Sequence, residues 1–316
     1  MNLAQWGNQL IKIVVMLFLS INGTAQDTKR PFIDPFQYKR ISVKPSATNP
    51  AITAWDTAHV IYYDPVAKSK NILLWLTGTN GTTNNIPVEF FKTALDQGYR
   101  VIALSFISTP AVAQICTGDM LDSNTGCAAE FRRKRIYGDN DFSLISDEPQ
   151  DAIIPRLVKL LQWLVENDTT GNWSQWLDKK TTKPVWNKIA IAGQSQGGGM
   201  AAFMGQQETL VRVISFSGGW DYSNSKEKKI AGWYFNRSAT PMADWYATYH
   251  INEMAAKPLS EICTALQIPA AHVFALDKPL LNPGSSKERA NAYHGEGIRN
   301  TAYKQIWITM LGSGID

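Results

Sequence analysis

Residues 187–204, Asn-Lys-Ile-Ala-Ile-Ala-Gly-Gln-Ser-Gln-Gly-Gly-Gly-Met-Ala-Ala-Phe-Met, restrict the possible folds of this chain more than any other stretch. An apolar strand over 188–192 runs into Gly193-Gln194-Ser195-Gln196-Gly197, and small residues then open a helix over 198–208. A serine at the apex of so tight a strand-to-helix turn is held in a strained backbone conformation with its hydroxyl above the sheet. Side chains two residues to either side would collide, so positions 193 and 197 have to be glycine. Gly198, Gly199, Ala201 and Ala202 let the helix lie close on its strand, and the helix N-terminus beneath Ser195 favours negative charge. The bare Gly-x-Ser-x-Gly pattern arises by chance on the order of once in ten chains of this size. The apolar strand before it and the small-residue helix after it supply the weight.

The rest of the chain repeats that strand-then-helix order. Nearly continuous apolar runs predict strands over 59–63, 71–76, 100–106, 188–192, 211–216, 245–250 and 271–276, and helical periodicity predicts helices over 88–97, 149–166, 198–208, 253–267 and 300–311. Such alternation implies an α/β fold with a mostly parallel central sheet and helices on both faces. The stretch after Asp221 is short for a large cap domain. Three non-periodic stretches, 108–147, 168–186 and 221–244, read as long loops, whose rings, Trp173, Trp176, Trp186, Trp233, Tyr234 and Phe235, are expected to pack them onto the body. The cationic run Arg132-Arg133-Lys134-Arg135 reads as a solvated face.

At the N-terminus a lysine precedes an apolar run, 13–21, too short to span a bilayer, and small Gly23 and Ala25 follow. This predicts a signal peptide over 1–25, a Pro-rich leader over 26–54, one catalytic domain over 55–316, and export to the periplasm or beyond. In an oxidising compartment Cys116 and Cys127 are expected to pair, because the polar segment between them can loop back, while Cys263 falls in an apolar helical rhythm. The net charge of +4, from 31 basic and 27 acidic residues, gives no field that would argue for nucleic acid or an anionic membrane. Zinc spacing, a phosphate-binding loop and a dinucleotide fingerprint are all absent from the sequence, so no metal and no cofactor are expected.

The turn around Ser195, with its flanking strand and helix, resembles the nucleophile turn of the α/β-hydrolase superfamily, particularly its secreted bacterial esterase- and lipase-like members. The resemblance covers roughly residues 55–313. It implies a nucleophile, acid and histidine in that chain order. His294, in Ala-Tyr-His-Gly-Glu-Gly after the last strand, then takes the place of the base. His59 precedes the nucleophile, His272 opens a strand at the wrong end, and His250 reads as a supporting residue. Glu253, three residues past the strand 245–250, is the first choice of acid, with Asp221 and Asp277 open as alternatives. The oxyanion donors implied are the backbone N–H groups of Gln196 and of Thr79, the latter in Thr77-Gly78-Thr79-Asn80-Gly81, where the family often carries His-Gly. The expected function is hydrolysis of a small or polymeric carboxylic ester through an acyl-enzyme. A peptidase, an acyltransferase or a non-catalytic binder on the same fold remain alternatives.

Overall fold

Alternate residues of the central strands supply two separate cores, which is what a sheet covered on both sides requires. In Ile72–Leu76 every side chain is buried: Ile72, Leu74 and Leu76 join one cluster, and Leu73 and Trp75 the other. The first cluster is closed by Leu157, Leu160, Leu161 and Leu164 of the helix Ile153–Asn167 and by Met200 and Met204 of the helix Gln196–Gln207. The second is closed by Phe90 and Phe91 of Val88–Asp96 and by Trp307, Met310 and Leu311 of Lys304–Leu311. Each such side chain removed from water contributes roughly 1.5–3 kcal/mol, so the sheet is held mainly from its faces.

The computed structural model describes residues 37–116, 118–223, 229–283 and 291–315, all within the compact unit Ile33–Asp316. Its strands are β1 (Lys39–Val43), β2 (His59–Tyr63), β3 (Ile72–Leu76), β4 (Arg100–Ala103), β5 (Ile189–Gln194), β6 (Arg212–Phe216), β7 (Trp245–His250) and β8 (Val273–Leu276). They form one eight-stranded sheet in the order β1-β2-β4-β3-β5-β6-β7-β8. The pairs β1–β2 and β2–β4 are antiparallel and every other pair is parallel. The turns after β3, β5, β6, β7 and β8 therefore share one rim, where ligands of open α/β sheets bind. Because β2 runs the other way, the residues preceding it reach that same rim.

The seven expected strands form, with ends shifted by up to three residues, and an eighth was not foreseen. β1 lies in the segment read as a leader and pairs along its whole length with β2, so the sheet begins well before residue 55. Its Lys39 and Arg40 are exposed at the sheet edge, which hides the strand from an apolar-run criterion. The expected signal peptide over 1–25 lies outside the described residues. No described helix is long and apolar enough to cross a membrane.

Part of the stretch read as a loop over 108–147 is the helix Cys127–Tyr137. The cationic run on it is not a solvated face: Arg132 and Arg135 are fully buried. Arg132 donates from Nε and Nη2 to Asp221 at 2.7 and 2.5 Å, and Arg135 from Nε and Nη2 to Asp147 at 2.6 and 2.9 Å. Helical spacing explains the difference, since residues 128, 131, 132, 135 and 136 point inward while Arg133 stays at the surface with Asp139. Burial works against the Arg132 charge, and the Asp221 carboxylate outweighs it, lifting that pKa above the usual arginine value. Cys116 and Cys127 are joined in a disulfide with their Cα atoms 5.7 Å apart, and Cys263 is a buried free thiol.

His59, on β2, is fully buried and accepts a hydrogen bond at Nδ1 from the Ser105 amide at 2.9 Å. Burial, aided by the nearby Arg156 charge, pulls its pKa from 6.5 to about 3. The unfolded chain therefore takes up this proton first as pH falls. The stability that neutral His59 contributes is complete above pH 6.5 and is lost progressively between 6.5 and about 3. Urea titrations at pH 7 and pH 5 should differ by about 2 kcal/mol from this group alone. In His59→Asn, which keeps an acceptor but does not titrate, that part of the difference should vanish; an unchanged difference would remove His59 as its cause.

Candidate active site

At the end of β5 the chain turns so sharply that Ser195 sits at φ 57° and ψ −120°, a left-handed backbone for a residue with a side chain. Its amide donates to the Phe216 carbonyl at the end of β6, 2.9 Å away, which anchors the strained residue to the neighbouring strand. Gln196 heads the helix Gln196–Gln207, so its N–H has no acceptor within the helix. A Cβ on Gly197 would stand 2.5 Å from the Thr77 carbonyl oxygen and closer still to that of Leu76. One on Gly193 would stand 2.8 Å from the Gly198 nitrogen. These neighbours are backbone and cannot swing aside. Gly197→Ala should therefore cost about 3 kcal/mol in urea unfolding. A loss below about 1 kcal/mol would mean that the β3 and β5 turns are not in contact in solution.

The turn after β3 comes up against the same serine. A Cβ on Gly78 would lie 2.5 Å from the Gln194 side-chain Oε1 and 3.2 Å from the Ser195 Cβ, so the two turns approach closely here. The turn closes on itself through the Gly81 amide to the Gly78 carbonyl at 2.9 Å and is fastened to the segment after β4 by Ser108 Oγ donating to the Gly81 carbonyl at 3.0 Å. Thr79 is the next residue along this turn.

On the other side of Ser195, the turn after β7 and the segment after β8 bring Glu253 and His294 together. His294 Nδ1 donates to Glu253 Oε2 at 2.8 Å, with the Glu253 side chain fully buried and His294 partly open. The second carboxylate oxygen, Oε1, accepts from Ser217 Oγ at 2.5 Å and from the His250 amide at 2.8 Å. With both oxygens engaged, the carboxylate is fixed and the imidazole can hold its proton on Nδ1, leaving Nε2 as the free acceptor. The Trp220 ring stands edge-on to His294 with centroids 5.1 Å apart, and Gln194 Nε2 donates to the His294 carbonyl at 3.3 Å. The residue before Ser195 is thus tied to the histidine segment. No hydrogen bond joins Nε2 to Ser195 Oγ among the described residues, and residues 284–290, which lead into His294, lie outside them. Such bonds often form only when substrate is bound.

The other carboxylates considered for this role are engaged elsewhere. Asp221 is fully buried, bound to Arg132 and accepting from Trp233 Nε1 at 2.8 Å. Asp277 is largely exposed beside Lys278. His250 takes a supporting place: its Nε2 bonds the Lys278 carbonyl at 2.8 Å, its Nδ1 accepts from the Asn252 amide at 3.1 Å, and its ring stacks on Tyr293. His272 bonds the Trp245 carbonyl at the start of β7, on the far side of the sheet. Sequence reasoning missed Ser217. Its signal was Ser-Gly-Gly directly after an apolar strand, and it too has a left-handed backbone, φ 44°. Among the described residues no three His, Cys, Asp or Glu side chains converge as a metal site would.

No protein-family model and no curated protein matches the chain. Solved structures similar to it include a dienelactone hydrolase from Anabaena variabilis, at 14% identity and a TM-score of 0.45, with 86% of this chain and 98% of that one covered. An esterase from Pyrobaculum calidifontis is 10% identical with a TM-score of 0.46, over 91% of this chain and 88% of that one. An α/β-hydrolase enzyme from a Medee basin deep-sea metagenome is 12% identical with a TM-score of 0.45, over 87% and 98%. The assignment of the fold stands on the topology itself. With its strand order β1-β2-β4-β3-β5-β6-β7-β8, an antiparallel β2 and a strained serine between β5 and its helix, the chain has the α/β-hydrolase fold.

Proposed function

We propose that the protein is a serine hydrolase of carboxylic esters. The observation that carries this reading is the pairing of Glu253 with His294 at 2.8 Å on the rim where strained Ser195 leaves β5. Ser195 Oγ attacks the ester carbonyl as His294 Nε2 takes its proton. The tetrahedral oxyanion is met by the N–H groups of Gln196, at the helix N-terminus, and of Thr79, in the turn after β3. His294 then returns the proton to the departing alkoxide, and water releases the acyl group by the same steps. Glu253 keeps the imidazole in its Nδ1–H tautomer and stabilises the imidazolium without accepting the proton. Ser217 and the His250 amide hold Glu253 in place. The chain is proposed to be exported, with residues 1–25 as its signal and the Cys116–Cys127 bridge suited to an oxidising compartment. A fluorophosphonate probe should add covalently to wild-type protein and not to Ser195→Ala. Equal labelling of both, or of neither, by intact mass would sink the assignment.

A further inference from the structure

Besides the serine turn, the same rim carries a cleft of about 570 Å3, within the range of roughly 300–1,000 Å3 typical of small-molecule sites. Three chain segments wall it: 53–55 before β2, 107–110 after β4, and 143–151 before the helix Ile153–Asn167. Two fully buried arginines bind these walls from beneath. Arg135 grips Asp147 and donates from Nη1 to the Pro110 carbonyl at 2.6 Å, joining the second wall to the third. Arg156 grips Asp151 at 2.5 Å and donates to the carbonyls of Ala54 and Trp55, joining the third wall to the first. Trp55 is held there at φ 49°, a strained backbone for a tryptophan, and its carbonyl also accepts from Ser105 Oγ. A gap left by chance between loops has no reason to spend two buried guanidiniums and a strained aromatic residue on its shape. Rigid walls of this kind lower the cost of binding.

The second wall is also the support of the Thr77–Gly81 turn through Ser108. β4 and β5 flank β3, so the second wall, after β4, and Ser195, after β5, lie to either side of the β3 turn. The chemistry of the cleft is mixed. Arg135 and Arg156 offset Asp147 and Asp151, which leaves one exposed carboxylate, Glu148, and the hydroxyl-bearing Thr53, Thr109, Ser143 and Ser146 among apolar residues that include Trp55 and Leu144. Hydroxyls that both donate and accept, next to an aromatic face, suit a ligand with C–H faces and hydroxyl edges. A cationic ligand would meet a single uncompensated carboxylate with two guanidiniums behind it.

We propose that this cleft is the subsite for a neutral, hydroxylated group of the sugar type, carried by the ester substrate at a distance from the scissile carbonyl. The proposal rests on the ester-hydrolase reading for its purpose but is tested by binding alone. Cellobiose titrated into full-length protein, followed by tryptophan fluorescence and calorimetry, should bind saturably in the millimolar range. Trp55→Ala and Ser146→Trp, the latter filling the cleft from an exposed position, should each weaken binding about tenfold, and Trp55→Phe should restore most of it. The ratio of kcat/KM for acetylated cellobiose to that for p-nitrophenyl acetate should fall about tenfold in Ser146→Trp, through KM. No saturable binding to wild type, binding undiminished in folded Ser146→Trp, or preference for choline over cellobiose would overturn the proposal. Should wild type bind cellobiose yet turn over no ester, the hydrolase reading fails and the subsite stands.

Discussion

Ser195→Ala is expected to lower kcat on an activated ester by on the order of 10^6 while the melting temperature stays within a few degrees of wild type. In the proposed mechanism the serine carries the bond-forming atom, whereas its hydroxyl makes no hydrogen bond among the described residues that folding would lose, and alanine meets the same left-handed backbone on the same terms. Glu253→Gln should cost on the order of 10^4, because an amide can present its N–H to His294 and turn the tautomer over. The combination of both should be no slower than Ser195→Ala alone, since groups that act as one unit are not additive. A residual kcat within about tenfold of wild type in Ser195→Ala would remove the nucleophile from the mechanism.

Asp221→Ala is expected to destabilise the fold by about 3–5 kcal/mol, read as a fall in the urea midpoint. The cause is not the lost ion pair as such. Truncation strands the Arg132 guanidinium at zero exposure, packed over Gly199 on the helix that follows Ser195, and deprives Trp233 Nε1 of its acceptor. Removing both charges, in Arg132→Met with Asp221→Leu, should recover most of the loss, because an apolar pair of similar volume has no desolvation to offset. If the double substitution is as unstable as Asp221→Ala, the stranded charge is not the reason.

The sheet was largely legible because its strands are buried on both faces and read as unbroken apolar runs, as in Ile72–Leu76. The serine turn was legible because its glycines answer a local steric demand. What escaped was decided by partners distant in sequence. Arg132 and Arg135 look like surface charge until the helix places them opposite Asp221 and Asp147, 89 and 12 residues away. β1 is a strand only because β2 presents an open edge to it. Among the acids, sequence order put Glu253 first with Asp221 and Asp277 as alternatives; what separates them in the fold is which one faces the His294 ring, and the bond from Ser217, 36 residues from Glu253, is visible only there.

The bare-backbone contact of Gly197 with Leu76 and Thr77 bears on how the protein can move. Two turns pressed together with no side chain between them have no compliant layer to absorb a displacement. The β3 and β5 turns are therefore expected to travel as one block, which would fix the separation of Ser195 from the Thr79 amide in advance, as the proposed mechanism requires.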